Sequence, residues 1–260
     1  MPVLAQPARV VSVNLCTDQL ALLLADEGQL VSVSRLGHDP DSSAMVEEAL
    51  AYPTNGSGAE EVYLLNPDLV VAGTFTDAAT VQLLRDLGIR VELFAPARSL
   101  ADVPARLRQM GEVLGQETRA EEVIADFDAR LADLTVTLEP RPKAALYYVN
   151  SYTAGDKSLA HEILSVAGFD NITTGMGMGW GGVLALEQLV MLQPDVIIQG
   201  RDYPGQARAE DNLNHPALTA LPGTLMAGEL TDRDWICGTP QVLRAVEDMR
   251  ALRLSMEPAQ

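Results

Sequence analysis

Two textures alternate along the chain: short aliphatic runs and longer stretches with apolar residues at helical spacing. In VVSVNLCTDQLALLLA, Val10 to Ala25, strand character (Val10, Val11, Val13) gives way to Asn14, Cys16, Thr17 and Asp18, and an apolar helical run follows at once. The turn after a parallel strand lies at the carboxyl edge of its sheet, where α/β folds bind ligands. Thr17 or Asp18 can also cap the helix, but a cap accounts for one polar residue and not for four.

The same pattern returns. EEVYLLNPDLVVAG, Glu60 to Gly73, matches EQLVMLQPDVIIQG, Glu187 to Gly200, without a gap: an acid, an amphipathic helix, Asn or Gln, Pro-Asp, three aliphatics and a Gly. Proline ends the helix, and the aliphatic run after it predicts a parallel strand buried on both faces. Each copy follows a strand-turn-helix unit, RVVSVNLCTDQLALLLADEG in the first half and AALYYVNSYTAGDKSLAHEILSVAG in the second. The prediction is an α/β fold of two similar lobes, each a mainly parallel sheet flanked by helices. Between them, apolar Val113, Leu114, Val123, Ile124, Phe127, Leu131 and Leu134 recur at helical spacing, with Gly115 as an interruption. The stretch from Glu117 to Leu134 predicts a helix of roughly 27 Å at about 1.5 Å per residue. It bridges the lobes, and proline-rich TLEPRPK leads into the second. The expected division is an N-terminal lobe over residues 1–112, a connecting helix over 113–138 and a C-terminal lobe over 139–260.

Charge and cysteine count narrow the partners. The 260 residues hold 18 Lys and Arg against 36 Asp and Glu, a formal charge of −18, which repels nucleic acid and anionic lipid. No apolar run approaches the roughly 20 residues that span a bilayer. The start, MPVLAQPARV, resembles the small-residue end of a secretory signal at Val3, Leu4 and Ala5, with a short frayed terminus as the alternative. The two cysteines, Cys16 and Cys237, fit either one disulfide in an oxidising compartment or two buried thiols.

Two α/β lobes, a helical connector, and NPDLVVAG paired with QPDVIIQG resemble the class III substrate-binding proteins of ABC importers for iron-siderophore complexes and vitamin B12. The resemblance runs from about Arg9 to the final helix and includes GSGAEEVYLLNPDLVVAG, LLRDLGIRVELF and DWICGTPQVLRAVEDM. It implies a monomer in the bacterial periplasm that holds a metal chelate in a cleft between the lobes. It also implies a rigid helix that permits only small closure, and delivery to permease subunits. Asn14 to Asp18 then form cleft wall on the first lobe, and NSYTAG, Asn150 to Gly155, faces them from the second. Rim acids that meet arginines on the permease are implied as well, with Asp77 the first-lobe candidate and Glu210 the second. The resemblance puts both cysteine-bearing turns at the cleft, where a Cys16–Cys237 bridge, as against two buried thiols, would tie the lobes together.

A large chelate is held by flat apolar contact and a few charged donors. Tyr152, Trp180, Tyr203 and Trp235 all lie in turns rich in Gly, Asp or Pro, and Phe75 follows a strand. Each is a candidate contact, with loop packing as the alternative. Arg35 follows LVSVS and Arg201 follows VIIQG, positions from which guanidinium forks reach ligand oxygens unless they pair with surface acids. GMGWGG, Gly177 to Gly182, fits G-x-G-x-x-G without the preceding strand of a dinucleotide site, so it reads as a turn. His38, His161 and His215 form no spaced metal motif, and neither a resident cofactor nor a bare-metal site is expected. No nucleophile elbow or phosphate loop supports the alternative of a two-lobed enzyme, and a sensory receptor domain is a third reading. Among ligands, ferric siderophore ranks first, corrinoid close behind, and haem third, with Tyr152 or Tyr203 as its axial ligand.

Overall fold

The computed structural model describes residues 6–135, 137–200, 212–229 and 233–256. The chain divides into two compact units. One holds the described residues up to Ala97 with Ala101–Asp128 and Ile236–Gln241; the other holds Arg98–Leu100, Ala129–Trp235 and the chain from Val242 onward.

In the first unit the elements are β1 (Val10–Ser12), α1 (Leu15–Leu24), β2 (Leu30–Ser34), α2 (Val46–Ala49), β3 (Thr54–Asn55), α3 (Ala59–Leu64), β4 (Leu69–Gly73), α4 (Ala78–Asp86), β5 (Arg90–Phe94) and α5 (Asp102–Leu114). The strands form a five-stranded parallel sheet in the order β3-β2-β1-β4-β5. Helices cover both faces of its centre, so β1 and β4 bury both sides and read as unbroken aliphatic runs. On one face Val11, Val13, Val70, Ala72 and Val91 pack under Val62 of α3 and Leu84 of α4. Helix α6 (Glu117–Leu134) has the predicted span, and Gly115, with φ 71°, ends α5 just before it. The unit boundary falls inside α6, between Asp128 and Ala129, and Phe127 is core as its spacing requires.

The second unit contains β6 (Lys143–Tyr147), β7 (Tyr152–Ala154), α7 (Leu159–Val166), β8 (Asp170–Asn171), β9 (Gly181–Val183), α8 (Leu186–Leu192), β10 (Val196–Gln199), α9 (Pro216–Thr219), β11 (Leu225–Glu229), α10 (Arg233–Ile236) and α11 (Val242–Ser255). The last residue of α10 groups with the first unit. A four-stranded parallel sheet runs β11-β10-β6-β8, and β7 pairs with β9 in a separate antiparallel ribbon.

The sequence repeat is a structural repeat. Asn66 and Gln193, which end the paired helices, both take left-handed φ, 49° and 47°. The aspartate after each proline then seats the new strand against the central one. Asp68 Oδ2 accepts from the backbone N–H of Ala8 and of Arg9, each at 3.0 Å, beside β1. Asp195 Oδ2 accepts from Lys143 N–H at 2.7 Å, at the start of β6. Pro-Asp thus sets the register of β4 on β1 and of β10 on β6.

Candidate functional site

In the first sheet the strand order reverses between β1 and β4, so a crevice opens at their carboxyl ends. A pocket of about 100 Å³ lies there, lined among others by Asn14, Gly73, Phe75, Phe94, Arg106 and Ile236. Asn14 is the N-cap of α1: its Oδ1 accepts from Cys16 N–H at 3.0 Å. Thr17 and Asp18 belong to the first turn of the helix and are not its cap, contrary to the sequence expectation. Thr17 Oγ1 bonds the Asn14 carbonyl at 2.9 Å and Ser12 Oγ at 2.8 Å.

Asp18 is 0 % exposed and turns into the protein, so it forms no part of the pocket wall. Its carboxylate accepts from the backbone N–H of Ser34 at 3.0 Å and from the Ser34 hydroxyl, which pins the end of β2. Burial pushes its pKa up, against the opposing effect of hydrogen bonds from Ser12 and Ser34 and the charge of His38. Of the four polar residues, Asn14, Cys16 and Thr17 line the pocket and Asp18 does not.

Cys16 and Cys237 form a disulfide, with Cα atoms 5.2 Å apart. Both cysteines fall in the first unit, because Ile236–Gln241 groups with α1. Thr239 Oγ1 adds a bond to Gln19 Oε1 at 3.0 Å. Gly238 lets this segment sit against Ala97, since a Cβ at 238 would collide with the Ala97 Cβ.

Phe75 follows β4, lines the pocket and is 82 % exposed. Arg35 follows β2 in a 3-10 turn, its guanidinium beside Gly56, and among the described residues it makes no hydrogen bond or ion pair. His38 is committed to structure, with Nε2 2.9 Å from the Ala49 carbonyl and 3.0 Å from that of Tyr52. Asp77 caps α4 through Thr80 N–H at 2.8 Å and stays exposed, together with Glu60 and Glu61, around a shallow cavity of about 380 Å³.

The second sheet reverses between β6 and β10. Next to it the β7–β9 ribbon carries two of the predicted aromatics: Tyr152 pairs with Val183, and Trp180 immediately precedes β9. Both stretches lie in contact because Gly155 N–H bonds the Trp180 carbonyl at 3.2 Å. Asn171 and Thr173 hold Ala154 from below at 3.2 and 2.8 Å. GMGWGG therefore supplies a strand as well as a turn. Trp180 is 55 % and Tyr152 46 % exposed, and the Arg98 guanidinium stacks over the Trp180 ring. Tyr148, at the end of β6, sets its ring 6.3 Å from that of Tyr152. Trp235 lies half-buried in α10. Arg201, Tyr203 and Glu210 lie outside the described residues.

Arg98, Arg106 and Tyr148 are the residues that sequence reasoning missed. Tyr148 had a usable signal, since it ends the strand read from AALYY. A larger cavity of about 710 Å³ opens at Pro142, Asp195 and Leu225, the amino ends of the second sheet, away from the edge where parallel sheets bind ligands. No group of three or more acidic, His or Cys side chains among the described residues is placed to hold a metal ion. No described helix is long and apolar enough to cross a membrane.

The sequence profile of a family described as "Periplasmic binding protein" matches residues 10–182. The chain belongs to the periplasmic binding protein family. The vitamin B12-binding protein of Pectobacterium carotovorum is 25% identical over 262 residues, which cover 98% of this chain and 91% of that protein. The cobalamin-binding protein of Halobacterium salinarum is 28% identical over 202 residues, 75% of this chain, and the match spans about half of its length, 54%. Among solved structures, a periplasmic haem-binding protein from Pseudomonas aeruginosa superposes with a TM-score of 0.77 at 22% identity, covering 98% of this chain and 95% of that one. The periplasmic vitamin B12-binding protein BtuF of Vibrio cholerae gives 0.71 at 18% identity, with 97% and 99% covered. These likenesses establish the fold: parallel sheets flanked by helices, shared with the two-lobed class III binding proteins.

Proposed function

We propose that this chain captures a corrinoid in the periplasm and passes it to the permease of an ABC importer, without catalysing a reaction. The observation that carries the reading is the set of aromatic side chains left exposed at the carboxyl edges: Phe75 in the first unit, Tyr152 and Trp180 in the second. Flat apolar side chains with few fixed charges suit a wide macrocycle rimmed by neutral amides. The ferric siderophore ranked first on sequence gives way to corrinoid because the Pectobacterium relative, aligned over nearly the whole chain, is a vitamin B12-binding protein.

Haem is the second reading, favoured by the superposed haem-binding structures and by Tyr152 as a possible axial ligand. Against it, the Tyr152 hydroxyl rests on the Gly181 backbone, whereas cobalamin brings its own axial ligand. A Bacillus subtilis relative is an ABC transporter substrate-binding lipoprotein, which supports an importer as the destination. Asp77, with Glu60 and Glu61 beside it, is the first-unit acid offered to permease arginines, and Glu210 is its counterpart candidate. We take the functional form to be a monomer.

The test is a tryptophan-emission titration with cyanocobalamin, haemin and a ferric siderophore, using Trp180 as reporter. Saturable one-to-one quenching is expected, tightest with cyanocobalamin. Tighter binding of haemin or the siderophore would reassign the ligand.

A further inference from the structure

We infer that the 100 Å³ pocket of the first unit is a subsite for a short acyl side arm of the ligand, with Arg106 taking the arm's carbonyl or carboxylate oxygen. The inference rests on the functional reading above and adds to it the residue that selects the arm.

Size decides what can enter. Sites for whole small ligands enclose roughly 300–1,000 Å³, so this pocket is too small for a macrocycle. It holds about three waters' share of liquid at about 30 Å³ each, the scale of a propionamide or propionate. Its chemistry is one-sided, because no Asp or Glu lines it. Arg106 donates from Nη1 to Gln109 Oε1 at 2.8 Å, and among the described residues the guanidinium makes no ion pair and Nε has no partner. Capping commits Asn14 Oδ1 to Cys16 N–H and leaves the Nδ2 donor beside Gly73 without a partner among the described residues.

The Arg106 guanidinium, its Nε unpartnered, and the Asn14 amide N–H₂ thus both line a small space that no carboxylate lines. An sp² oxygen on a short arm supplies what both donors lack. Corrinoids carry such arms as amides and haem carries them as carboxylates. Part of the wall, Cys16, Ile236 and Gly238, is held by the disulfide.

The experiment titrates cyanocobalamin and haemin against the wild type, Arg106→Gln and Arg106→Lys at low and high salt. Arg106→Gln is expected to weaken binding about tenfold or more, the effect of losing a hydrogen bond to a charged group, and Arg106→Lys less. A loss that shrinks with salt identifies a carboxylate arm, and one that does not identifies an amide. Both support the subsite. Arg106→Lys keeps the charge and supplies the readout should the Gln variant not fold. Wild-type binding matched by both variants overturns the subsite alone. A wild type that binds neither ligand overturns the functional reading and the subsite with it.

Discussion

At the amino edges of their sheets the two units are built alike: Asp68 seats β4 beside β1 and Asp195 seats β10 beside β6 through the same carboxylate-to-backbone bond. The carboxyl edges differ. The first unit closes its edge with a capped helix and a disulfide around a tight pocket, while the second leaves its edge to an antiparallel ribbon carrying exposed aromatics. The repeat specifies the scaffold, and the connections after its strands specify what is held there.

The sharpest break in that comparison is the disulfide. Closing a loop across a sequence separation of 221 residues stabilises by about 5 kcal/mol in the chain-entropy model. Cys16→Ala with Cys237→Ala, or reduction, is expected to lose most of this. Hydrogen exchange should rise in α1 and Ile236–Gln241 and stay unchanged in β6 and β10. Thiol counting on the unfolded, unreduced protein should find none, and two free thiols would remove the device.

A smaller effect tests the likeness of the amino edges. Asp68→Ala should cost about 1–2 kcal/mol and Asp195→Ala about 1, because the first carboxylate holds two N–H groups and the second one. Denaturant unfolding measures both, and equal losses would show that the two are not used in proportion.

The smallest concerns Asp18, whose carboxyl is held above the usual range by burial. A group whose pKa is raised on folding contributes its full stability below the unfolded value, 3.8, and loses it as pH climbs through the folded one. The wild type should therefore lose stability relative to Asp18→Asn as pH rises from below that value toward neutrality. A pH-independent difference between the two would contradict the assignment.

Much of the scaffold was legible because its signals are local: the Pro-Asp repeat, the aliphatic strands, and Gly115 ahead of an 18-residue helix. Asn14, Phe75, Tyr152 and Trp180 were legible as site candidates because their residue types are out of place where strands end. Arg106 was not, since in LADVPARLRQM it reads as one more polar position of an amphipathic helix, and only the loops after β1, β4 and β5 turn it into pocket wall. The pairing of β7 with β9 was hidden by glycines, which carry no strand preference. The grouping of Cys237 with α1 was hidden by sequence distance.

The proposed function rests on the aromatics exposed at the carboxyl edge of each unit's sheet. Calorimetric titration of cyanocobalamin against the wild type, Phe75→Ala and Trp180→Ala tests it most directly. One-to-one binding is expected, weakened about tenfold or more by each substitution, as for buried aromatic anchors. Wild-type affinity in both variants would contradict it.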